Sequence, residues 1–322
     1  MLKKTIYIIK YILKLIRWPN LLIIVLTMYL LRYCLFLPLL ESYGLNPQLD
    51  GFIFFLLVLA TLLLAAAGYV INDLYDVDSD KINKPDKVII SNIFSLKFAE
   101  NLNLVLNAIS IGIGIYISLK IGIRSVSLAF MLVAGLLYFY SSSYKGYLLF
   151  GNLLVSFFAA IVPLMVLLFE LPLLKLHYKS FVTENFNFNF LIAWFGYYSL
   201  FAFLISFLRE IVKDMEDFEG DASYGQKTLP VAFGIKSSKV ISFIIILAIV
   251  FLILYVLIKY LSDPISCVYI FSLVLAPLIY VGWIIYSATD KKSYTIASNI
   301  CKVVMLTGIL YSILVKFLLL KQ

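Results

Sequence analysis

Long apolar segments, separated by short polar ones, make up most of this chain. Each apolar segment has about the 20 residues with which a helix crosses the hydrocarbon core of a bilayer. The pattern therefore predicts an all-α, polytopic membrane protein in which about nine transmembrane helices form a bundle. The predicted spans are residues 19–40, 51–72, 98–118, 125–143, 149–169, 187–208, 238–259, 265–287 and 296–316.

The first 18 residues have a different pattern, in which basic residues recur among Ile, Leu and Tyr. These basic residues are Lys3, Lys4, Lys10, Lys14 and Arg17. Such a pattern is typical of an amphipathic helix that lies in the membrane surface, and we expect no cleavable signal peptide. Residues 1–18 are thus predicted to form an interfacial helix, and residues 19–322 a single transmembrane domain.

Composition supports a membrane location. The chain is 63% hydrophobic and 14% charged, with a mean hydropathy of +1.02, whereas soluble domains average near half apolar and a quarter charged. If the N-terminus is cytoplasmic, 17 of the 26 Lys and Arg residues lie on the cytoplasmic side, as the positive-inside rule requires. We expect a multi-pass protein of the inner or plasma membrane. The net charge of +8 then reflects attraction to membrane lipids, and no nucleic-acid partner is expected.

Two groups of three aspartates share the spacing i, i+3, i+7. The first acidic motif is Asp73, Asp76 and Asp80, and the second acidic motif is Asp214, Asp217 and Asp221. On a continuous helix, each triple falls within about 60° of one face. Because four predicted spans separate the motifs, both are predicted in cytoplasmic loops. Carboxylates in these otherwise basic loops indicate bound divalent cations, and the alternative is that they are ordinary solvated loop residues.

The segments around both motifs contain further recognisable sequence. Residues 72–80 read NDLYDVDSD, which matches NDxxDxxxD, and the second motif contains DxxxD between Asp217 and Asp221. Other matching segments are residues 83–87 (NKPDK), Tyr140-Ser141 with Lys145, Gly151-Asn152, and residues 226–234 (QKTLPVAFG). Together these segments resemble the UbiA-type intramembrane prenyltransferases over nearly the whole chain. Lys87-Val88 departs from the Arg-Pro that is common in the family, which keeps a positive charge but loses bidentate phosphate geometry.

The resemblance implies an enzyme that transfers a polyprenyl group from a polyprenyl diphosphate to a lipophilic acceptor. Two Mg²⁺ ions would be held by the two acidic motifs and would stabilise the departing diphosphate. The implied catalytic residues are Asp73, Asp76, Asp217, Tyr140 and Lys145. The implied substrate-binding residues are Asn72, Lys84, Lys87, Tyr140, Ser141, Lys145, Arg209 and Lys213.

The sequence indicates the type of reaction more clearly than it indicates the acceptor. Residues 209–221 look most like the members of the family that prenylate geranylgeranylglyceryl phosphate, whereas Thr228–Gly234 also resembles chlorophyll synthases. Aromatic quinone precursors, such as a hydroxybenzoate or a dihydroxynaphthoate, and a chlorophyllide-like acceptor are the alternatives. A divalent-cation transporter is an alternative of another class. Transport paths place ionisable residues near the middle of the membrane, where the predicted spans are mostly apolar, so the enzyme is favoured.

Overall fold

The computed structural model describes residues 2–83, 85–144, 148–178, 188–261 and 263–319. Within these ranges the regular structure is helical, and no strand is present beyond an isolated bridge between Ile90 and Phe94. The helices are α1 (Leu2–Leu15), α2 (Trp18–Leu30), α3 (Leu37–Glu41), α4 (Gly51–Tyr75), α5 (Val77–Asn83), α6 (Leu96–Ile121), α7 (Ser125–Phe139), α8 (Phe150–His177), α9 (Asn189–Glu216), α10 (Phe218–Ser223), α11 (Leu229–Tyr260), α12 (Pro264–Ile270), α13 (Ala276–Ser287) and α14 (Lys291–Leu319). Wider π-helical turns at Leu31–Phe36, Tyr140–Tyr144 and Phe271–Leu275 join α2 to α3, follow α7 and join α12 to α13.

Eight helices in the described part of the chain are long and apolar enough to cross a membrane. They coincide with eight of the nine predicted spans and confirm the all-helical, polytopic class. The exception is the span predicted at 125–143, where the apolar helical stretch covers Ser127–Ser142 and is shorter than the usual span. The count of nine is therefore not confirmed.

The spanning helices present large apolar side chains on their outer surfaces. Phe251 is 73% exposed and Ile258 is 82% exposed, both on α11. Apolar surface of this kind is unfavourable in water and favourable in lipid, so it marks a membrane-facing surface. The protein is accordingly an integral, multi-pass membrane protein.

The described residues fall into two compact units. The first unit lies within residues 1–26 and 49–145, and the second within residues 27–48 and 146–322. In the first unit, α4 packs along α6, and two polar side chains of α6, one half-buried and one buried, tie the helices together. Asn103 Nδ2 donates to the Ala67 carbonyl at 2.8 Å, and Ser110 Oγ donates to the Ala60 carbonyl at 2.7 Å. These bonds satisfy polar side chains that have no water partner inside a membrane.

Helix α1 carries exposed apolar side chains on one face and is anchored at its end. Ile6, Ile9 and Leu13 are 59%, 50% and 42% exposed, and their spacing places them on one side of the helix. Leu15, the last residue of α1, is fully buried in a cluster that includes Val70 of α4. The structure ends this helix at Leu15 rather than at residue 18, and its placement in the membrane surface stays a prediction.

In the second unit, α9 packs against α8, α11 and α14. A buried ion pair lies beside this bundle, where Arg32 Nη1 is 2.7 Å from Glu170 Oε1 and the two side chains are 3% and 0% exposed. The Gln48 backbone N–H donates to the other Glu170 oxygen at 3.0 Å. A charge removed from water needs such partners, because an isolated buried charge costs several kcal/mol or more. The pair thus connects the turn after α2, the segment after α3 and α8.

Two glycines on α6 offer a matched test of helix packing in the first unit. A Cβ atom at Gly114 would lie 2.5 Å from Cδ2 of Phe130 on α7, whereas one at Gly112 would meet no atom within 4 Å. Phe130 is only 1% exposed, so its ring has no space into which to turn.

We expect Gly114→Ala to lower the unfolding temperature by several degrees, because overpacking typically costs about 1–3 kcal/mol. Gly112→Ala should leave it unchanged or raise it, since alanine favours a helix over glycine by up to about 1 kcal/mol. Thermal unfolding in detergent, followed by circular dichroism, compares the two variants. Equal melting temperatures of the two variants would contradict the close contact between position 114 and Phe130.

Candidate functional site

The first acidic motif lies where α4 gives way to α5. Asp73 is in the last turn of α4, Asp76 stands between the helices with φ −93° and ψ −1°, and Asp80 belongs to α5. The backbone hydrogen bonds nevertheless continue through the break. The Asp76 N–H donates to the Asn72 carbonyl at 3.1 Å, and the Asp80 N–H donates to the Asp76 carbonyl at 2.8 Å. The junction at Asp76 therefore leaves these backbone groups satisfied.

The second acidic motif repeats this arrangement in the other unit. Asp214 is in the last turn of α9, Asp217 stands between α9 and α10 with φ −98° and ψ 9°, and Asp221 belongs to α10. The Asp217 N–H donates to the Lys213 carbonyl at 2.9 Å, and the Asp221 N–H donates to the Asp217 carbonyl at 3.0 Å. The two motifs thus share their local conformation as well as their spacing. Each motif is carried by two consecutive helices that its middle aspartate separates, although the backbone hydrogen bonds continue between them.

The contacts of the first motif come from its own helix and from the segment before α2. Arg17 Nη2 lies 2.6 Å from Asp73 Oδ1, and the Arg17 guanidinium also stacks over the ring of Tyr69 at 5.0 Å. Asn72 Nδ2 donates to Asp76 Oδ2 at 3.1 Å. Asp73 is thereby paired with a cation, and Asp76 is held by the amide one turn before it.

The second motif is held mainly by neutral and longer-range contacts. Asn152 Nδ2 on α8 donates to Asp214 Oδ2 at 2.7 Å. Lys291 Nζ, at the start of α14, lies 3.9 Å from Asp217 Oδ1. Asp221 is buried, with 6% of its surface exposed. Asp214 is therefore held in place by an amide rather than by a charged side chain.

Other acidic residues near the motifs have separate partners. Asp78 is exposed and paired with Lys81 at 3.0 Å, one turn along α5. Arg209 Nη1 pairs with Glu210 Oε1 at 2.6 Å on α9. Glu210 lies one turn before Asp214 on the same helix, and it pairs with Nη1 of Arg209, the guanidinium that is expected to bind phosphate.

The oxygen ligands of the two motifs fit a hard cation such as Mg²⁺. Mg²⁺ prefers oxygen, keeps several waters and is usually held by one or two carboxylates together with substrate phosphates. In the ranges that the structure describes, no three Asp, Glu, His or Cys side chains are grouped so that they could hold a metal ion. A cation at either motif would therefore need further oxygen ligands, such as water or a diphosphate.

The remaining predicted site residues are distributed between described and undescribed segments. Tyr140 and Ser141 begin the π-helical turn after α7 and are 8% and 5% exposed. Lys213 precedes Asp214 on α9 and is half-buried. Lys84 and Lys145 lie outside the described residues, and of Lys87 the structure describes only the backbone, in the short 3-10 helix Pro85–Lys87.

Sequence reasoning missed three contacts of the motifs. Arg17 was assigned to the basic surface helix, Asn152 was noted only as part of a resembling segment, and Lys291 was counted only as a loop charge. Each lies between 56 and 74 positions from its aspartate, a separation that leaves no periodic signal in the sequence. These partners become visible when tertiary packing brings them to the motifs.

Comparison with known proteins places the chain in a family. A model of the UbiA prenyltransferase family matches residues 33–303. A digeranylgeranylglyceryl phosphate synthase of Sulfolobus acidocaldarius is 34% identical over 199 residues, which is 62% of this chain and 64% of that protein. The synthase of the same name from Methanosphaera stadtmanae is 31% identical over 250 residues, or 77% of this chain and 82% of that protein.

Solved structures share the fold. A structure concerned with digeranylgeranylglyceryl phosphate synthase in membranes has a TM-score of 0.60 at 22% identity, over 95% of this chain and 98% of that one. A UbiA homolog from Archaeoglobus fulgidus, bound to DMAPP and Mg²⁺, has a TM-score of 0.55 at 19% identity, over 94% and 98%. Because the family model extends over most of the sequence and includes both acidic motifs, we conclude that the chain belongs to the UbiA prenyltransferase family.

Proposed function

We propose that this protein transfers a polyprenyl group from a polyprenyl diphosphate to geranylgeranylglyceryl phosphate in a Mg²⁺-dependent reaction. The observation that carries the proposal is the likeness to the Methanosphaera stadtmanae synthase, which extends over 77% of this chain. The two matching acidic motifs support it, because they provide the oxygen ligands that a metal-assisted loss of diphosphate requires.

The aspartates have the first role in the proposed mechanism. Asp73, Asp76 and Asp80 would hold one Mg²⁺, and the second acidic motif would hold another. Bound Mg²⁺ supplies electrostatic stabilisation for the departing diphosphate. The helix break at each middle aspartate supports these roles, since it lets carboxylates from two helical segments serve one local site.

Cationic and polar residues would bind the diphosphate oxygens directly. In this proposal the Lys213 ammonium and the Asn72 amide, which precede their motifs by one residue, take equivalent positions. Lys84, Lys87 and Lys145 add positive charge, and Ser141 adds a hydroxyl donor. Arg209 would contribute through the guanidinium N–H donors other than Nη1, which is paired with Glu210 at 2.6 Å.

The bond changes involve the donor and the acceptor alone. The bond between the prenyl C1 and the diphosphate oxygen breaks, and the bonding electrons leave with the diphosphate. The acceptor hydroxyl oxygen forms a bond to C1 and releases its proton to solvent. The aromatic face of Tyr140 would stabilise positive charge on the allylic carbon by cation–π attraction, and apolar helices would keep water from it.

We propose a matching placement in the membrane. The N-terminus and both acidic motifs would face the cytoplasm, α1 would lie in the interface, and residues 19–322 would act as one transmembrane catalytic domain. The basic residues that accompany the motifs in the sequence, and the exposed apolar face of α1, support this placement.

Removing one carboxylate from either motif tests the metal assignment. We expect Asp73→Asn and Asp217→Asn each to reduce turnover at least about 100-fold, because each loses a charged metal ligand. Asp78→Asn is the matched control, since Asp78 lies within the same segment but pairs with Lys81. Diphosphate release by purified protein is the measurement. Near-normal turnover in both motif variants would refute the assignment.

The hydrogen bond from Asn152 to Asp214 gives a second test. Asn152→Ala leaves Asp214 without its 2.7 Å partner, so we expect activity at limiting Mg²⁺ to fall about 10- to 100-fold. Saturating Mg²⁺ should restore part of the loss. Asn107→Ala is the control, because the amide of Asn107 bonds to Asn103 within α6. If both variants lose activity equally at every Mg²⁺ concentration, the effect is one of general stability.

A panel of acceptors tests the substrate. Purified protein with labelled geranylgeranyl diphosphate and Mg²⁺ should prenylate geranylgeranylglyceryl phosphate at least about tenfold faster than hydroxybenzoate, dihydroxynaphthoate or chlorophyllide. Chelation of Mg²⁺ by EDTA should stop the reaction. A preference for an aromatic acceptor would keep the enzyme class and replace the substrate. Cation flux in proteoliposomes without any turnover would instead favour the transporter.

A further inference from the structure

Arg17 makes an unusual pair of contacts with α4. Its Nη2 lies 2.6 Å from Asp73 Oδ1, and its guanidinium stacks 5.0 Å from the centre of the Tyr69 ring. The Arg17 and Asp73 side chains are 30% and 20% exposed, so water screens the pair only in part. Arg17 thus sits on one face of α4 against an aspartate and against the aromatic ring one turn before it.

Positive charge near Asp73 is electrostatically stabilising. It lies in the last turn of α4, where the helix dipole is negative and a carboxylate is destabilised. The carboxylates of Asp76 and Asp80 follow in the same segment and add like charge. A cation at Asp73 therefore relieves an unfavourable concentration of negative charge, and in this structure that cation is the Arg17 guanidinium.

The backbone keeps Arg17 beside Asp73. Arg17 has φ +52°, the left-handed conformation that L-residues rarely adopt, and it forms the break between α1 and α2. Leu15 on one side is fully buried against Val70 of α4, and the Asn20 N–H on the other donates to the Arg17 carbonyl at 2.8 Å. The backbone is thereby anchored on both sides, while the long side chain can exchange one partner for another.

The second motif provides an internal contrast. Asp214 occupies the position that corresponds to Asp73, in the last turn of α9, but it accepts its hydrogen bond from the neutral amide of Asn152. A cation that approaches Asp214 encounters the neutral amide of Asn152. A cation that approaches Asp73 encounters the positive charge of the Arg17 guanidinium. The two motifs are alike in backbone conformation, but the partner of the first aspartate is charged in one motif and neutral in the other.

We propose that Arg17 is a tethered counter-ion that competes with divalent cations for Asp73. A cation at Asp73 competes with the guanidinium, because Arg17 already occupies Oδ1 and neutralises the carboxylate. A cation at the other oxygen would meet the positive charge of Arg17 at close range. Arg17 acts through Asp73 and is therefore a positioning residue. The inference rests on the proposed function in one respect, namely that Asp73 is a metal ligand.

The test measures cation binding without any substrate. Mn²⁺ binding to the full chain, purified into nanodiscs of uncharged lipid, is followed by electron paramagnetic resonance. Arg17→Gln should bind Mn²⁺ about three- to tenfold more tightly than the wild type, because the competing charge is gone. Arg17→Lys should stay near the wild type, since it keeps that charge. Lys14→Gln removes an exposed charge one turn earlier and should also leave the affinity unchanged.

The outcomes separate this inference from the function on which it rests. An unchanged or weaker affinity of Arg17→Gln overturns the competition, and so does an equal gain in Lys14→Gln, which would reflect net charge alone. The gain should disappear in the double variant with Asp73→Asn. If Asp73→Asn by itself binds Mn²⁺ as the wild type does, the metal assignment fails instead.

A second measurement needs no substitution at Arg17. Trp18 follows Arg17 and is 52% exposed, so its fluorescence reports on this break once Trp194 and Trp283 are replaced by Phe. Mg²⁺ should shift the Trp18 emission at the concentrations at which it binds, and Asp73→Asn should abolish the shift. Emission that stays constant while the cation binds counts against displacement of Arg17.

Discussion

The break in the helix at Asp76 and at Asp217 is the feature on which the proposed site depends. A helix that crosses a membrane keeps all its backbone hydrogen bonds internal, because lipid offers no partners. The acidic motifs lie at the ends of α4 and α9, and in each motif the middle aspartate separates two helices while the bonds from residue i to residue i−4 continue. The acidic side chains are therefore presented outside the apolar helix without unsatisfied backbone groups around them.

The position of the aspartates at the ends of helices has an electrostatic consequence. Asp73 and Asp214 lie at the negative ends of α4 and α9, so each requires a donor or a cation nearby. Arg17 meets the requirement in the first unit and Asn152 in the second. The Arg32–Glu170 pair in the second unit meets the same requirement for a partner. Its two charges are almost fully removed from water and neutralise each other. The charges of Asp73, Asp214 and Glu170 are thus each stabilised by a named partner.

Hydrophobic periodicity predicted the helices well and their ends less well. The span predicted at 51–72 is α4, which continues to Tyr75, and the span predicted at 187–208 is α9, which continues to Glu216. Hydropathy registers where apolar side chains stop, whereas a helix stops where its backbone bonds stop.

By itself, the sequence determined the membrane class, the eight long spans that the structure shows, the family and the two acidic motifs. Each of these depends on residue type and on spacing within one segment, which a linear pattern records. Only the tertiary structure decided that each motif is divided between two helices at its middle aspartate, that Arg17 is a partner of the first motif, and that Asn152 and Lys291 are partners of the second. Those contacts join residues more than 50 positions apart. They arise because packing anchors Leu15 against α4 and sets α8 and α14 beside α9, and short-range spacing carries no trace of such packing.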